Sequence, residues 1–167
     1  MARLPLPPVS LPTTSSTSIT LSALPPLTII FIYPRTGAPN ESITAEWDAI
    51  PGARGCTPQA CGFRDVHSDL IAAGAGRVFG LSVQTSEYQA EVKRRLGLPF
   101  ELLSDERLEF ADALGLPTFD WEGGRLIKRV TLAVREGRIV KVWYPVFPPD
   151  RSAAEVLEWL KAGADGK

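Results

Sequence analysis

The segment Leu27-Thr-Ile-Ile-Phe-Ile-Tyr33 constrains this chain more than any other. It is continuous, apolar and β-branched, with no polar alternation, and Pro34 stops it. Such a run predicts a strand buried on both faces, hence central in a sheet. A strand of that kind needs a layer of structure on each side. The 167 residues are enough to supply both layers within one domain.

The rest of the chain alternates around that strand. Residues 1–26 hold six of the fifteen prolines, many Ser and Thr, and a single charge at Arg3. They read as a loose end over 1–8, then two short strands, Val9–Leu11 and Ser18–Leu21, about a Thr/Ser turn. Residues 35–54 read as a long loop with Gly37, Pro39, Asn40, Pro51 and Gly52. A helix is expected from Cys56 to Ala73, with Pro58 in its first turn, Phe63, Val66 and Leu70 on one face, and Gly74 and Gly76 at its end. Val78–Ser82 is the next strand. Ser86 and Gln89 form a capping-box pattern for a helix through Leu96, which Gly97 closes. A short strand, Phe100–Leu103, and a helix, Glu106–Leu114, follow. Val130–Val134 and Ile139–Tyr144 form a hairpin about Glu136-Gly137. Ser152 and Glu155 form a second capping box, opening a final helix with Val156, Leu157 and Leu160. This alternation predicts an α/β chain, with a mixed sheet and helices on both sides.

Composition narrows the function. A formal net charge of −1 predicts no electrostatic attraction to nucleic acid or anionic membrane. The only positive cluster, Lys93-Arg94-Arg95, reads as a solvated helix face. No apolar run approaches the ~20 residues needed to span a bilayer. Prolines at 5, 7, 8 and 12 interrupt any secretory h-region, so a cytoplasmic location is expected. In that reducing compartment a disulfide is more readily catalytic than structural.

The chemistry concentrates in Gly55-Cys-Thr-Pro-Gln-Ala-Cys-Gly-Phe-Arg-Asp65. Cys56 falls at the predicted head of a helix that follows a central strand. Free N–H groups and the positive dipole end lie there, and both favour the thiolate. Thiolate attacks a peroxide oxygen and leaves a sulfenic acid, which a nearby thiol can trap. Cys61 is five residues on. At about 100° and 1.5 Å per residue, the two side chains diverge by about 140° and rise by about 7.5 Å. That rise exceeds the usual disulfide Cα separation of up to ~6.8 Å, so pairing would require the first helical turns to unwind. Spacing alone equally allows two small hydrophobes in a helix. Two Cys and the lone His67 make a zinc site improbable, and a thioredoxin-type redox motif would need C-x-x-C.

Residues 55–65 closely resemble the G-C-T-x-E-A-C-x-F-R-D stretch of Q-type peroxiredoxins, also called bacterioferritin comigratory proteins. Three further segments agree in order and spacing. Phe79-Gly-Leu-Ser82 resembles the strand after the catalytic helix. Leu98-Pro-Phe-Glu-Leu-Leu-Ser-Asp105 resembles G-L-P-F-x-L-L-S-D. Arg129-Val-Thr-Leu-Ala-Val134 with Gly137-Arg-Ile139 resembles the R-x-T-F-V-I-D-x-x-G-x-I hairpin. Four segments in register are specific where each alone is modest.

The resemblance covers about residues 9–162 and leaves 163–167 as a flexible tail. It implies a thioredoxin-like fold and peroxide reduction, with thioredoxin or a glutaredoxin-like dithiol as electron donor. It makes Cys56 the peroxidatic cysteine, Cys61 the resolving one, and Arg129 the arginine that holds thiolate and peroxide. Without it, Arg129 beside Lys128 would read as a surface strand residue. Arg64 and Asp65 also match and read as a structural pair. No bound cofactor or metal is expected, because sulfur carries the electrons. The family implies a monomer, although the uncharged N-terminal segment leaves a dimer open.

The family's P-x-x-x-T ahead of the peroxidatic cysteine is missing, since Ala49 and Ala53 occupy those positions. Tyr33-Pro34 instead resembles the family's Y-P, which implies an insertion at about 35–52. Pro34, Thr36 and Thr57 are then the candidate substrate-binding residues, with Thr44 another hydroxyl and Trp47 and Ile50 candidates to cover the pocket. The missing Thr also leaves a second function open, a redox-sensing or chaperone-like protein with weak turnover.

Overall fold

The computed structural model describes residues 4–24, 27–35, 56–146 and 149–163, with the side chains of residues 56 and 57 outside that description. At its centre is a five-stranded mixed sheet, built around β3 (Thr28–Ile32). All five β3 residues are buried, as the apolar run requires. β3 pairs in parallel with β4 (Arg77–Ser82), which pairs in parallel with β5 (Glu101–Ser104). On its other side β3 pairs antiparallel with β8 (Val130–Arg135), and β8 with β9 (Arg138–Trp143).

Alternation along β3 divides the core. Ile29, Phe31 and Tyr33 face four helices: α1 (Cys56–Asp65), α2 (His67–Ala72), α3 (Ser86–Leu96) and α5 (Ser152–Lys161). Ile30 and Ile32 face Phe110 and Ala111 of α4 (Glu109–Leu114). The same side takes Leu11 and Ile19 from an N-terminal hairpin, β1 (Ser10–Pro12) and β2 (Ser18–Thr20), and Ile127 from a second hairpin. The mixed sheet, the helices on both faces and the N-terminal hairpin agree with expectation.

Four details differ. The helix expected over 56–73 breaks at Val66, whose φ of −108° and ψ of 11° separate α1 from α2. The helix expected from Glu106 starts at Glu109, because Leu108 takes a left-handed φ of 60°. The second hairpin, β6 (Thr118–Trp121) with β7 (Gly124–Ile127), has no counterpart in the sequence reading. Within the stretch read as a loose end, Leu4 and Leu6 hydrogen-bond to Ile139 and Gly137, and Leu6 is buried. Its apolar side chain gains more from the core than the backbone loses by ordering.

The N-terminal segment thus touches both edges of the central sheet. Pro5 bridges to Arg138 at the start of β9, and Thr13 bridges to Leu103 of β5. Thr14 fastens the β5 end, donating to Glu101 Oε1 at 2.7 Å.

Candidate active site

α1 begins at Cys56, downstream of the carboxyl end of β3. Its buried face carries Gln59, Ala60 and Phe63. Gln59 lies three residues after Cys56, less than one turn along the same helix. Phe63 stacks on Phe31 of β3, and Gly62 faces Ala153 of α5, whose Cβ lies 3.7 Å from where a Gly62 Cβ would sit, an ordinary van der Waals distance. Cys61 falls off the buried face: it is a half-buried free thiol within the same continuous helix.

Arg129 reaches this helix from the other side of β3. Ile32 pairs with Val130, so Arg129 lies one step beyond that pair, beside the Tyr33-Pro34 end of β3. Arg129 immediately precedes β8, and its side chain and that of Thr131 reach the same side, toward Gln59 of α1 and Ser152 of α5. Arg129 is only 4% exposed, whereas Lys128 is on the surface. The arginine that would read as a surface residue is therefore interior. Its Nη1 donates to Gln59 Oε1 at 2.7 Å, and both groups are buried.

The network continues. Gln59 Nε2 donates to Ser152 Oγ at 3.2 Å, and Ser152 Oγ lies 3.3 Å from Thr131 Oγ1. Ser152 was expected to cap α5, yet the residue at the cap is Arg151, with no side-chain cap bond. Burial against Gln59 and Thr131 takes the hydroxyl instead. Gln59, Thr131 and Ser152 are the site residues that sequence reasoning missed. The one signal for Gln59 was its place in the cysteine motif; Ser152 is 93 residues away from it and gave none.

The other expected site residues divide. Pro34 is described and buried, immediately after Tyr33. Thr36, Thr44, Trp47, Ile50 and nearly all of the insertion lie outside the described residues, as do the side chains of Cys56 and Thr57. Arg64 bonds Asp65 at 2.9 Å and the Leu96 carbonyl at 2.7 Å, which ties α1 to the end of α3 and fits a structural pair. His67 sits near Phe100, and burial holds its pKa below the ordinary value. Among the described residues no cluster of His, Cys, Asp and Glu suits a metal ion, and no helix is long and apolar enough to cross a membrane.

A mixed sheet whose central strand leads to a helix headed by cysteine, with an arginine buried against that helix, defines a thioredoxin-like redox protein. Comparison with known proteins makes this specific. The Redoxin family model matches residues 2–157. The peroxiredoxin Bcp of Bacillus subtilis is 31% identical over 137 residues, 80% of this chain and 76% of that protein. The chloroplastic peroxiredoxin Q of Arabidopsis thaliana is 35% identical over 109 residues, 65% of this chain and 49% of that protein. The crystal structure of the peroxidoxin BcpB from Mycobacterium tuberculosis superposes with a TM-score of 0.77, at 24% identity over 96% of each chain. The chain belongs to the Redoxin family, as a peroxiredoxin of the Bcp or Q type. It is a peroxidase enzyme, and peroxiredoxins act on peroxides at the expense of thiol reductants.

Proposed function

We propose that Cys56 is the peroxidatic cysteine, Cys61 the resolving cysteine and Arg129 the group that activates the first. The Cys56 thiolate attacks the terminal oxygen of hydrogen peroxide or an organic hydroperoxide. The O–O bond breaks, water or an alcohol leaves after taking up a proton, and sulfur becomes a sulfenic acid. The Cys61 thiol then displaces water to form an intramolecular disulfide. A dithiol such as thioredoxin or a glutaredoxin-like protein reduces that disulfide and is itself oxidised.

The observation that carries this reading is the buried Arg129–Gln59 bond. It supports a guanidinium held within a turn of the helix head, where positive charge stabilises both thiolate and the charge developing on the leaving oxygen. The helix N-terminus adds to the same effect. Pro34 shields the thiolate on this reading, and the hydroxyl of Thr36 or Thr57 contacts substrate. The protein acts in the cytoplasm as a monomer.

Peroxide-dependent oxidation of a dithiol donor tests the assignment. Cys56→Ser abolishes all turnover. Cys61→Ser keeps the first peroxide-consuming event and loses sustained turnover. Full activity in Cys56→Ser overturns the assignment. Thr36→Val separates the two hydroxyls: an unchanged peroxide rate leaves Thr57.

A further inference from the structure

Gln59, Thr131 and Ser152 touch neither sulfur nor peroxide in the reaction proposed above, yet all three are buried polar side chains. They come from three elements, α1, β8 and α5, and the two bonds of the Gln59 amide have only one consistent direction. A guanidinium carries donors alone, so the end of Gln59 that meets Arg129 must be Oε1. The other end of that amide carries donors alone, so Ser152 Oγ must accept from it. Ser152 Oγ keeps a proton and a second lone pair, and either serves the bond to Thr131 Oγ1. Arg129, one residue ahead of β8, and Thr131 on it are two apart in the chain, so the series of bonds begins and ends on the same stretch of backbone.

Without the Ser152 hydroxyl, Nε2 of Gln59 would lose its buried acceptor. Rotating the amide toward another acceptor would withdraw Oε1 from Arg129. The same bonds bear on the helix. Gln59 belongs to the opening turns of α1, which must unwind if Cys56 and Cys61 are to meet. Ser152 sits beside Ala153, where Gly62 packs.

We propose that Ser152 is a positioning residue: its hydroxyl fixes the Gln59 amide, so that Arg129 is held for the peroxide step and the head of α1 stays wound until that step is complete. This rests on the reading of Cys56, Cys61 and Arg129 given above. The two half-reactions then respond to loss of the hydroxyl with opposite sign. Peroxide attack slows because Arg129 is less well placed. Disulfide closure quickens because a bond that opposes unwinding is gone.

Rapid mixing of the full-length reduced protein with hydrogen peroxide, followed by tryptophan fluorescence, separates oxidation from closure. Ser152→Ala slows the first phase about tenfold, the rate equivalent of about 1.4 kcal/mol, and speeds the second up to about tenfold. Ser152→Thr restores the hydroxyl and returns both phases to within about twofold of wild type. Thr131→Val, close in shape, removes the hydroxyl that holds Ser152 Oγ; it gives the same pair of signs at about threefold and carries the test if Ser152→Ala does not fold. Both phases unchanged, or both slowed together, overturns the proposal. Arg129→Lys distinguishes the two levels. If it leaves the first phase at the wild-type rate, the reading of the site falls. If it slows that phase while Ser152→Ala does not, only the role of Ser152 falls.

Discussion

Phe63 of α1 lies flat on Phe31 of β3, with ring centroids 4.4 Å apart and planes 6° from parallel. This stack seats the helix that begins with Cys56 on the central strand. Its position depends on the residue opposite Phe31, which is Gly80 of β4. A Cβ at Gly80 would come within 2.8 Å of Phe31 Cζ and 2.6 Å of Leu102 Cδ2. Both side chains lean over the glycine because nothing stands there.

Gly80→Ala therefore destabilises the protein by about 2 kcal/mol through overpacking. For a chain of this length that lowers Tm by about 5 °C. Calorimetry measures the loss. A smaller rate of peroxide consumption accompanies it, because Phe31 can yield only by pushing Phe63 and α1.

The geometry of α1 makes a second prediction. Five helical residues separate Cys56 from Cys61 by about 7.5 Å along the axis, too far for a disulfide. If Cys56 and Cys61 pair as proposed, oxidation unwinds the head of the helix. Amide hydrogen exchange at residues 57–62 rises in the oxidised protein, while β3 and β8 keep their protection. Equal protection of 57–62 in both states would mean that the bond forms without unwinding.

Gln89 is a third point of control. It is fully buried on α3, accepts from the Tyr33 hydroxyl at 2.8 Å, and donates to the Leu103 and Gln84 carbonyls at 2.8 and 3.1 Å. One side chain thus joins the carboxyl ends of β3 and β5. Gln89→Leu strips three bonds at once, two of them fully buried, and destabilises by about 3 kcal/mol. The urea midpoint falls and the slope stays the same, since the surface exposed on unfolding does not change.

Glu101 gives a pH dependence. Partial burial pushes its carboxyl up, but hydrogen bonds from Lys93 and Thr14, with the Lys93 charge, more than reverse this, so it ionises below its ordinary value. The unfolded chain then binds the proton more readily than the folded one. Stability from this group is present above the ordinary carboxylate value and is lost as pH falls through the folded value. Glu101→Gln is less stable than wild type at neutral pH, and the gap narrows on acidification. Urea midpoints at neutral and acid pH measure it; a constant gap contradicts the sign.

Much of the fold was legible because its signals are local. The run at 27–33 announces a buried strand by composition alone, and α3 takes the predicted bounds, Ser86–Leu96, because Gly97 can adopt the left-handed φ of 64° that ends it. The caps were less legible. Thr85, not Ser86, accepts from the Tyr88 amide, and Gln89 turns inward to Tyr33. A capping pattern does not reveal whether a side chain is needed more elsewhere. The hairpin β6–β7 escaped notice because burial along it is confined to Leu126 and Ile127, which leaves no alternating pattern.

The site was legible only where its residues are neighbours. Cys56, Gln59 and Cys61 fall within one motif. Arg129 has an exposed lysine before it and a buried valine after it, and nothing local says which it follows. Its burial comes from the pairing of β8 with β3, a long-range fact. Ser152 enters the site through the packing of α5 on α1, where Ala153 faces Gly62.

The N-terminal segment has a consequence for how the molecule assembles. Pro5 waits for Arg138 and Thr13 waits for Leu103, so residues that come early in the chain have partners that come late. Contacts of such wide sequence separation are slow to form, because the loops they close cost entropy before any contact rewards them. The β1–β2 hairpin can form on its own, but its bridge at Thr13 has no partner until β5 exists, nor has Pro5 ahead of it until β9 does. Its docking is then a late event in folding, and the central sheet must pass through an interval in which β5 and β9 stand uncovered.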